Sequence, residues 1–171
     1  MPLVKGGHII ADEFVRIAED AELPAQGAIL VSETRFLAGP DALLNRAGKL
    51  GVVWPNNRDV DDLLPYLDRL AMVALVFPSF RDGRAYSQAR LLRERYGFRG
   101  ELRATGQVLR DQFVFMLRAG FDAFEVKKQA DAEAFTETVK RYSVFYQPTG
   151  DGRLSALHQR LQLRHSESAG L

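Results

Sequence analysis

Residues 72–106 read MVALVFPSFRDGRAYSQARLLRERYGFRGELRATG. The apolar run Met72–Phe77 is typical of a buried strand, and a proline follows it at once. A helix is predicted over Arg84–Tyr96, because small and apolar residues recur on one side there and Gly97 stops the pattern. A short strand, Glu101–Ala104, comes next. A strand, a helix and a second strand in this order favour parallel pairing through a right-handed crossover.

The same alternation of strand and helix extends in both directions from this stretch. Further strands are predicted at residues 28–31, 50–54 and 123–126, and further helices at residues 40–47, 59–70, 107–118 and 131–142. Strands thus recur roughly every 20–30 residues, as they do in βαβ units. A complete TIM barrel needs about 250 residues, and this chain has 171. The prediction is therefore an α/β fold with a parallel sheet of repeated strand–helix units, partial TIM-barrel-like. An open doubly wound sheet, or a homodimer that covers an open edge, is the alternative.

The two ends of the chain differ from this repeat. Leu3–Ile10 predicts a small N-terminal hairpin that turns at Gly6-Gly7. A short helix or turn is expected next, with Asp12 as its N-cap and Phe14 on its apolar side. Residues 1–151 are predicted to form a single α/β domain. Residues 152–171 are predicted to be a C-terminal tail with a short helix and a disordered end.

The composition excludes several classes of function. A formal net charge of +1 gives no overall field that would attract nucleic acid or an anionic membrane. The chain contains no cysteine, which excludes disulfides, thiolate nucleophiles and Cys-ligated metal clusters. The histidines His8, His158 and His165 lack metal-ligand spacing, so no metal site is predicted. Without a signal peptide or an apolar run of about 18 residues, the expected location is the cytoplasm.

No motif for a bound cofactor is recognisable in the chain. There is no G-x-G-x-x-G after a strand, no G-x-x-x-x-G-K-[ST] and no G-x-S-x-G. The cofactor is therefore unknown. Since no side chain in the sequence is redox-active, a redox role would require a cofactor that is bound or supplied by a partner.

The carboxyl ends of the central strands carry candidate ligand-binding residues. In parallel α/β folds, ligands bind beyond these ends. Ser79, Arg81 and Arg84 follow one strand and Arg103 lies near the end of the next. Guanidinium groups bind oxyanions through planar, charge-assisted hydrogen bonds, so these four residues are predicted to bind a small oxyanion.

The alternative is structural. In it, Asp82 caps the helix, and the arginines are solvated or paired with Asp111 or Glu101. For Arg103 it means an ordinary salt bridge with a neighbouring carboxylate.

Three further residues are candidates for acid–base catalysis. Asp111 would face the same strand ends if its helix starts close to Gln107, and it could then act as a general base. Glu125 and Lys127 are two residues apart and would share one face of a strand. The structural alternatives are an acidic residue stabilised by the helix dipole and a basic loop that starts at Lys127-Lys128.

Several segments together resemble a known family. They read FPSFRDGRAYSQARLLRERYGF (77–98), GELRATG (100–106), LRDQ (109–112) and GFDAF (120–124). From Leu3 to about Asp151 the chain resembles a bacterial domain-of-unknown-function family labelled as an oxidoreductase involved in sulfite reduction. That label rests on gene neighbourhood with assimilatory sulfite or nitrite reduction. The chain departs from the family pattern at Gln107, where an acidic residue is usual, and at Phe14, where a tryptophan is usual.

Two hypotheses follow from the residues and the resemblance. The first is an enzyme of sulfur assimilation that binds a small oxyanion through Arg81, Arg84 and Arg103. The second is a non-catalytic accessory protein that docks onto a sulfite or nitrite reductase or onto its electron donor. The absence of cysteine, of a cofactor motif and of a complete acid–base set motivates the second.

Overall fold

The computed structural model describes residues 1–140, 155–158 and 160–161 of the chain. It is a mixed α/β structure built on one eight-stranded sheet that curls into a half-barrel. The strands are β1 (Leu3–Lys5), β2 (His8–Ile10), β3 (Val15–Arg16), β4 (Ile29–Ser32), β5 (Leu50–Trp54), β6 (Met72–Phe77), β7 (Glu101–Gly106) and β8 (Ala123–Glu125). Their order in the sheet is β2-β1-β8-β7-β6-β5-β4-β3.

Most of the sheet is parallel, as the repeat predicted. Strands β3 to β8 pair in parallel, each with its neighbour in the chain. The N-terminal hairpin is also confirmed, since β1 and β2 are antiparallel with Lys5 opposite His8. Strand β1 then pairs antiparallel with β8, which attaches the start of the chain to the last strand of the parallel series.

Helices connect the parallel strands. The α-helices are α1 (Glu33–Ala38), α2 (Pro40–Leu44), α3 (Arg84–Arg90), α4 (Phe113–Ala119) and α5 (Gln129–Lys140). A π-helical turn, Leu91–Arg95, continues α3, and 3-10 helices span Val60–Arg69 and Arg110–Gln112. The predicted N-cap at Asp59 is confirmed, because its Oδ1 accepts a hydrogen bond from the Asp61 amide (3.1 Å). The helix that follows contains Pro65, whose missing N–H disfavours regular α-helical bonding.

The two faces of the sheet have different surroundings, because side chains alternate along each strand. On the helix face, Val73, Leu75 and Leu102 are fully buried in one core with residues of α3 and α4. The opposite face, which we call the Arg103 face, has a smaller apolar cluster made by Leu30, Met72, Ala74 and Phe14. In the described part of the chain, Phe14 of the N-terminal segment therefore covers this apolar cluster on the Arg103 face.

The segment between the hairpin and β4 differs from its prediction. It was expected to be a short helix or turn capped by Asp12, but the structure contains the short strand β3 there. The Val15 amide donates to the Ala28 carbonyl (3.0 Å) and the Ile17 amide to the Leu30 carbonyl (2.9 Å). These bonds to β4 hold the segment extended. The Asp12 Oδ1 instead accepts the Phe14 amide (3.0 Å) in a tight turn.

The helix predicted from Gln107 begins later than expected. The Gln107 amide donates to the Phe77 carbonyl (2.8 Å), and Leu109 is still extended (φ −105°, ψ 146°). Helical structure therefore starts with the 3-10 turn at Arg110.

Helix α1 was not predicted at all. Its Ser32 cap accepts the Arg35 amide (3.1 Å), but only Phe36 of its six residues is buried, so it has no apolar pattern.

The predictions for residues 141–154, 159 and 162–171, including the last two residues of the helix predicted over 131–142, lie outside the described residues. Residues 156–158 and 160–161 are helical. Among the described residues, no helix has the length and apolarity needed to cross a bilayer.

The end of β7 provides a test of the sheet. Gly106 has φ +94°, and a Cβ added there would lie 2.5 Å from the Phe77 carbonyl oxygen. Gly97 also has positive φ (+67°), but an added Cβ would meet nothing within 4 Å. We expect Gly97→Ala to cost about 1–2 kcal/mol of the free energy of unfolding from backbone strain. Gly106→Ala should cost about 1–3 kcal/mol more, because the neighbouring strand must move.

Urea unfolding followed by the fluorescence of Trp54, the only tryptophan and a fully buried one, measures both losses. Equal losses for the two variants would contradict the close approach of β6 and β7.

Candidate functional site

Arg103 is the most unusual residue of the sheet, because its guanidinium group is buried. It is the third residue of β7, and its side chain is 1% exposed. Three carboxylates surround it. Its Nη1 and Nη2 donate to Asp12 Oδ2 (2.6 Å) and Oδ1 (2.9 Å), its Nε donates to Glu101 Oε1 (2.9 Å), and its Nη1 also donates to Glu125 Oε1 (3.2 Å).

Strand geometry explains how these groups meet. Glu101, Arg103 and Thr105 alternate with apolar residues in β7, so all three lie on the Arg103 face. Residues of β8 pair in register with β7, which brings Glu125 next to Thr105. The Thr105 hydroxyl donates to Glu125 Oε2 (2.6 Å). Among the residues that the structure describes, Asp12 is the only carboxylate partner of Arg103 from outside these two strands.

An aromatic ring and two peripheral cations complete the cluster. The Phe14 ring is buried, and its centre lies 5.7 Å from the Arg103 guanidinium carbon. This spacing allows a cation–π interaction. Lys5 pairs with Glu101 (2.7 Å) and Arg16 pairs with Glu125 (3.3 Å). Three cations and three carboxylates therefore balance one another.

The charges in the cluster stabilise one another in their ionised forms. Burial alone would lower the pKa of Arg103, but its hydrogen bonds with Asp12 and the charge of Glu101 raise that pKa above its usual value. Partial burial likewise acts to raise the pKa of Asp12. The hydrogen bonds from Arg103 and from the Phe14 amide more than offset it, so the pKa of Asp12 is lowered. A guanidinium that stays protonated cannot transfer protons, so Arg103 can hold an anion but cannot act as an acid or base.

The other predicted anion-binding residues lie in the loop after β6, away from this cluster in the chain. Arg84 pairs with Asp82 through two bonds, Nη2 to Oδ2 (2.7 Å) and Nε to Oδ1 (3.0 Å). The Arg81 amide donates to the Ser79 hydroxyl (3.3 Å), and the Arg81 guanidinium lies over the Phe80 ring (5.4 Å). Arg81 is thus the exposed arginine of this loop without an ion pair in the described part of the chain.

Three loops meet at this end of the sheet. The Phe80 amide donates to Gln107 Oε1 and the Gln112 amide group donates to the Phe80 carbonyl, both at 3.3 Å. Helix α5 packs against the 3-10 turn Arg110–Gln112, which brings in the loop after β8. We call residues 79–84, 107–112 and 127–131 the basic rim.

Among the described residues, no hydrogen bond or ion pair joins the three predicted catalytic residues to one another. Asp111 is exposed on the basic rim. The burial of Tyr86, together with the negative charge of Asp111, raises the pKa of Tyr86 to about 12. Strand β8 ends at Glu125, so Lys127 lies beyond it and is exposed while Glu125 is buried. Of the predicted site residues, Arg103 and Glu125 come into direct contact, as do Ser79 and Arg81.

Sequence reasoning missed the roles of Asp12 and Phe14. Asp12 was interpreted as a helix cap, and Phe14 as the apolar side of that helix. No local pattern connects either residue to a strand about 90 positions later. A usable signal was present in β7 itself, where Glu101, Arg103 and Thr105 place three polar groups on one face of an otherwise apolar central strand.

An open pocket of about 530 Å³ lies at the ends of β4 and β5. It is lined by Glu33, Pro55, Asn57, Arg58 and Asp59. Arg58 is held by Glu33 (2.6 Å) and Asp62 (3.4 Å), so its charge is already neutralised. Within the described residues, no group of three or more His, Cys, Asp or Glu side chains is arranged so that it could hold a metal ion.

The Asp12–Arg103 pair should make stability depend on pH. Asp12→Asn is expected to lower the free energy of unfolding by about 1–2 kcal/mol at pH 7, because it weakens a charged hydrogen bond to a buried guanidinium. The loss is not larger, because solvent partly screens the charge of Asp12. The pKa of Asp12 is lower in the folded state, so its contribution is present above its unfolded-state pKa and is lost as pH falls through the folded value. The difference between wild type and variant should therefore shrink at acidic pH.

Urea unfolding between pH 7 and pH 3 measures this difference. Glu13→Gln is the matched control, because Glu13 pairs with Lys49 (2.8 Å) at an exposed position and should contribute little. A difference for Asp12→Asn that stays constant over the whole range would contradict the charged pairing.

Comparison with known proteins identifies the family to which the chain belongs. The family model described as a bacterial protein of unknown function (DUF934) matches residues 51–157, more than half of the 171 residues. The match includes β5 to β8, Arg103 and the basic rim, and it begins after Asp12 and Phe14. No curated protein matches the chain. The chain belongs to this family of bacterial proteins of unknown function, DUF934.

Proposed function

We propose that this protein is a non-catalytic accessory protein of assimilatory sulfite reduction. In this proposal it docks through the basic rim onto an acidic surface of the sulfite or nitrite reductase, or of the reductase's electron donor. The observation that carries the proposal is the rim itself, where cations that pair with no other described residue lie beside exposed apolar side chains. The link to sulfite reduction comes from the resemblance of the sequence segments.

The charges of the rim are suited to an acidic partner. The rim contains five basic residues and three acidic ones. Arg81, Arg110, Lys127 and Lys128 are exposed, and none forms an ion pair with another described residue. Cations of this kind remain available for a partner and accelerate its association through electrostatic steering.

Two exposed apolar side chains form the contact centre of the rim in this proposal. Phe80 is 50% exposed and Leu109 is 40% exposed. Their loops are connected by the bonds of Gln107 and Gln112 to the Phe80 backbone, so the two side chains belong to one surface. Aromatic and arginine residues are enriched among the side chains that dominate binding energy at protein interfaces. Phe80 with Arg81 over its ring fits this description.

The alternative of an oxyanion-binding enzyme has less support. It requires Arg81, Arg84 and Arg103 to share one ligand. Arg84 is paired with Asp82, and Arg103 is enclosed by three carboxylates on the Arg103 face. A ligand would have to displace these partners at both places.

We further propose that the half-barrel corresponds to part of a TIM-like barrel, in which the loops at the carboxyl strand ends form the functional surface.

Charge reversal on the rim tests the docking surface. The double variant Arg81→Glu/Arg110→Glu should bind the purified reductase, or its electron donor, roughly tenfold or more weakly than wild type, since two favourable charge contacts become repulsive. The wild-type affinity should also fall with rising salt. Calorimetry or surface plasmon resonance with each protein measures the affinity.

Arg99→Glu is the matched control. Arg99 is exposed and precedes β7, at the opposite end of the sheet from the rim. An equal loss in this variant would mean that net charge, not the rim, determines binding. Absence of binding to every protein of the pathway by wild type would reject the accessory role.

A further inference from the structure

We infer that the Asp12 carboxylate occupies a binding site for a small oxyanion, and that Arg103 anchors this site. The pairing of Asp12 with Arg103 is two-pronged, with Nη1 to Oδ2 at 2.6 Å and Nη2 to Oδ1 at 2.9 Å. This is the geometry with which a guanidinium binds a free carboxylate or another oxyanion that offers two oxygens. The chain thus supplies its own anion to a site that an external anion fits chemically.

The three carboxylates around Arg103 are not equivalent. The side chains of Glu101 and Glu125 are 10% and 8% exposed and belong to the central strands β7 and β8. The Asp12 side chain is 36% exposed and lies between β2 and β3, outside any strand. Asp12 is therefore the partner that solvent reaches, and its removal would open the two Nη atoms of Arg103 to small solutes.

Charge balance favours an anion in place of Asp12. Without its carboxylate, Arg103, Arg16 and Lys5 would face only Glu101 and Glu125. One positive charge would remain uncompensated beside a buried guanidinium, which is costly in a low-dielectric environment. A monoanion restores neutrality.

The surroundings limit the size of the ligand. The Phe14 ring lies over the guanidinium at 5.7 Å, and the apolar residues Leu30, Met72 and Ala74 pack against Phe14. Glu101 and Glu125 already bind the remaining donor positions of Arg103. The space that Asp12 leaves is that of one carboxylate, so the expected ligand is a small oxyanion of that size.

Rescue of a truncated variant by added anions tests this inference. Asp12→Ala removes the internal anion, and formate, a monoanion with a single carboxylate group, should then stabilise the protein in a saturable manner. At a concentration ten times the dissociation constant, we expect the melting temperature of the variant to rise by about 3–6 °C relative to chloride of equal ionic strength. Wild type should show no such saturable rise, because Asp12 already fills the site.

Glu13→Ala is the control, since it removes a neighbouring carboxylate that pairs with Lys49 at the surface. Equal effects of formate on both variants, or no saturable effect of formate on Asp12→Ala, would overturn the inference. Nuclear magnetic resonance of the Arg103 Nε–H group in Asp12→Ala gives a second readout, and this signal should shift along the same saturation curve. An unchanged Arg103 signal would locate the anion elsewhere and also reject the site. If Asp12→Ala folds poorly, its refolding yield in formate and in chloride provides the same comparison.

Discussion

A guanidinium group that water hardly reaches must find its counter-charges inside the protein, and this requirement organises the Arg103 face. Burial of an unpaired charge would cost several kcal/mol. Glu101, Glu125 and Asp12 remove that cost, and Lys5 and Arg16 in turn balance two of the carboxylates. The cluster therefore binds the N-terminal segment to the middle of the sheet through charge as well as through the apolar contacts of Phe14.

The same requirement fixes the register of β7. A shift by one residue would move every side chain of the strand to the opposite face. Arg103 would then point into the apolar core beneath the helices, and Leu102 and Ala104 would meet the carboxylates. Few other registers of β7 would give the Arg103 guanidinium its carboxylate partners. The cluster therefore specifies the register of the central strands, which their apolar residues, many of them similar in shape, do not specify alone.

The sequence was sufficient for the parts of the fold that depend on local patterns. The bounds of β5 and β6 agree with the predicted strands, because a continuous apolar run needs no distant information. Helix α1 and β3 escaped prediction for a common reason. Their conformations depend on a cap and on bonds to β4 rather than on an apolar period. The candidate site was predicted only in part. Arg103 and Glu125 were candidates because they lie in strands that the local pattern predicts. The pairing of Asp12 with Arg103 was not predicted, because the two residues are 91 positions apart in the chain.

Because the charges of the Arg103 cluster are paired with one another, the charges that a partner can contact lie elsewhere on the molecule. The Arg103 cluster is neutral as a whole, whereas the basic rim has two more basic than acidic residues. The full chain has a net charge of only +1, so the rest of the molecule must be slightly acidic. A nearly neutral composition thus contains a local excess of cations, which lies at the carboxyl ends of the parallel strands. In a parallel α/β fold, the loops at the carboxyl ends of the strands can vary without disturbing the core. The cations of the basic rim lie on such loops, so they are available for recognition of a partner.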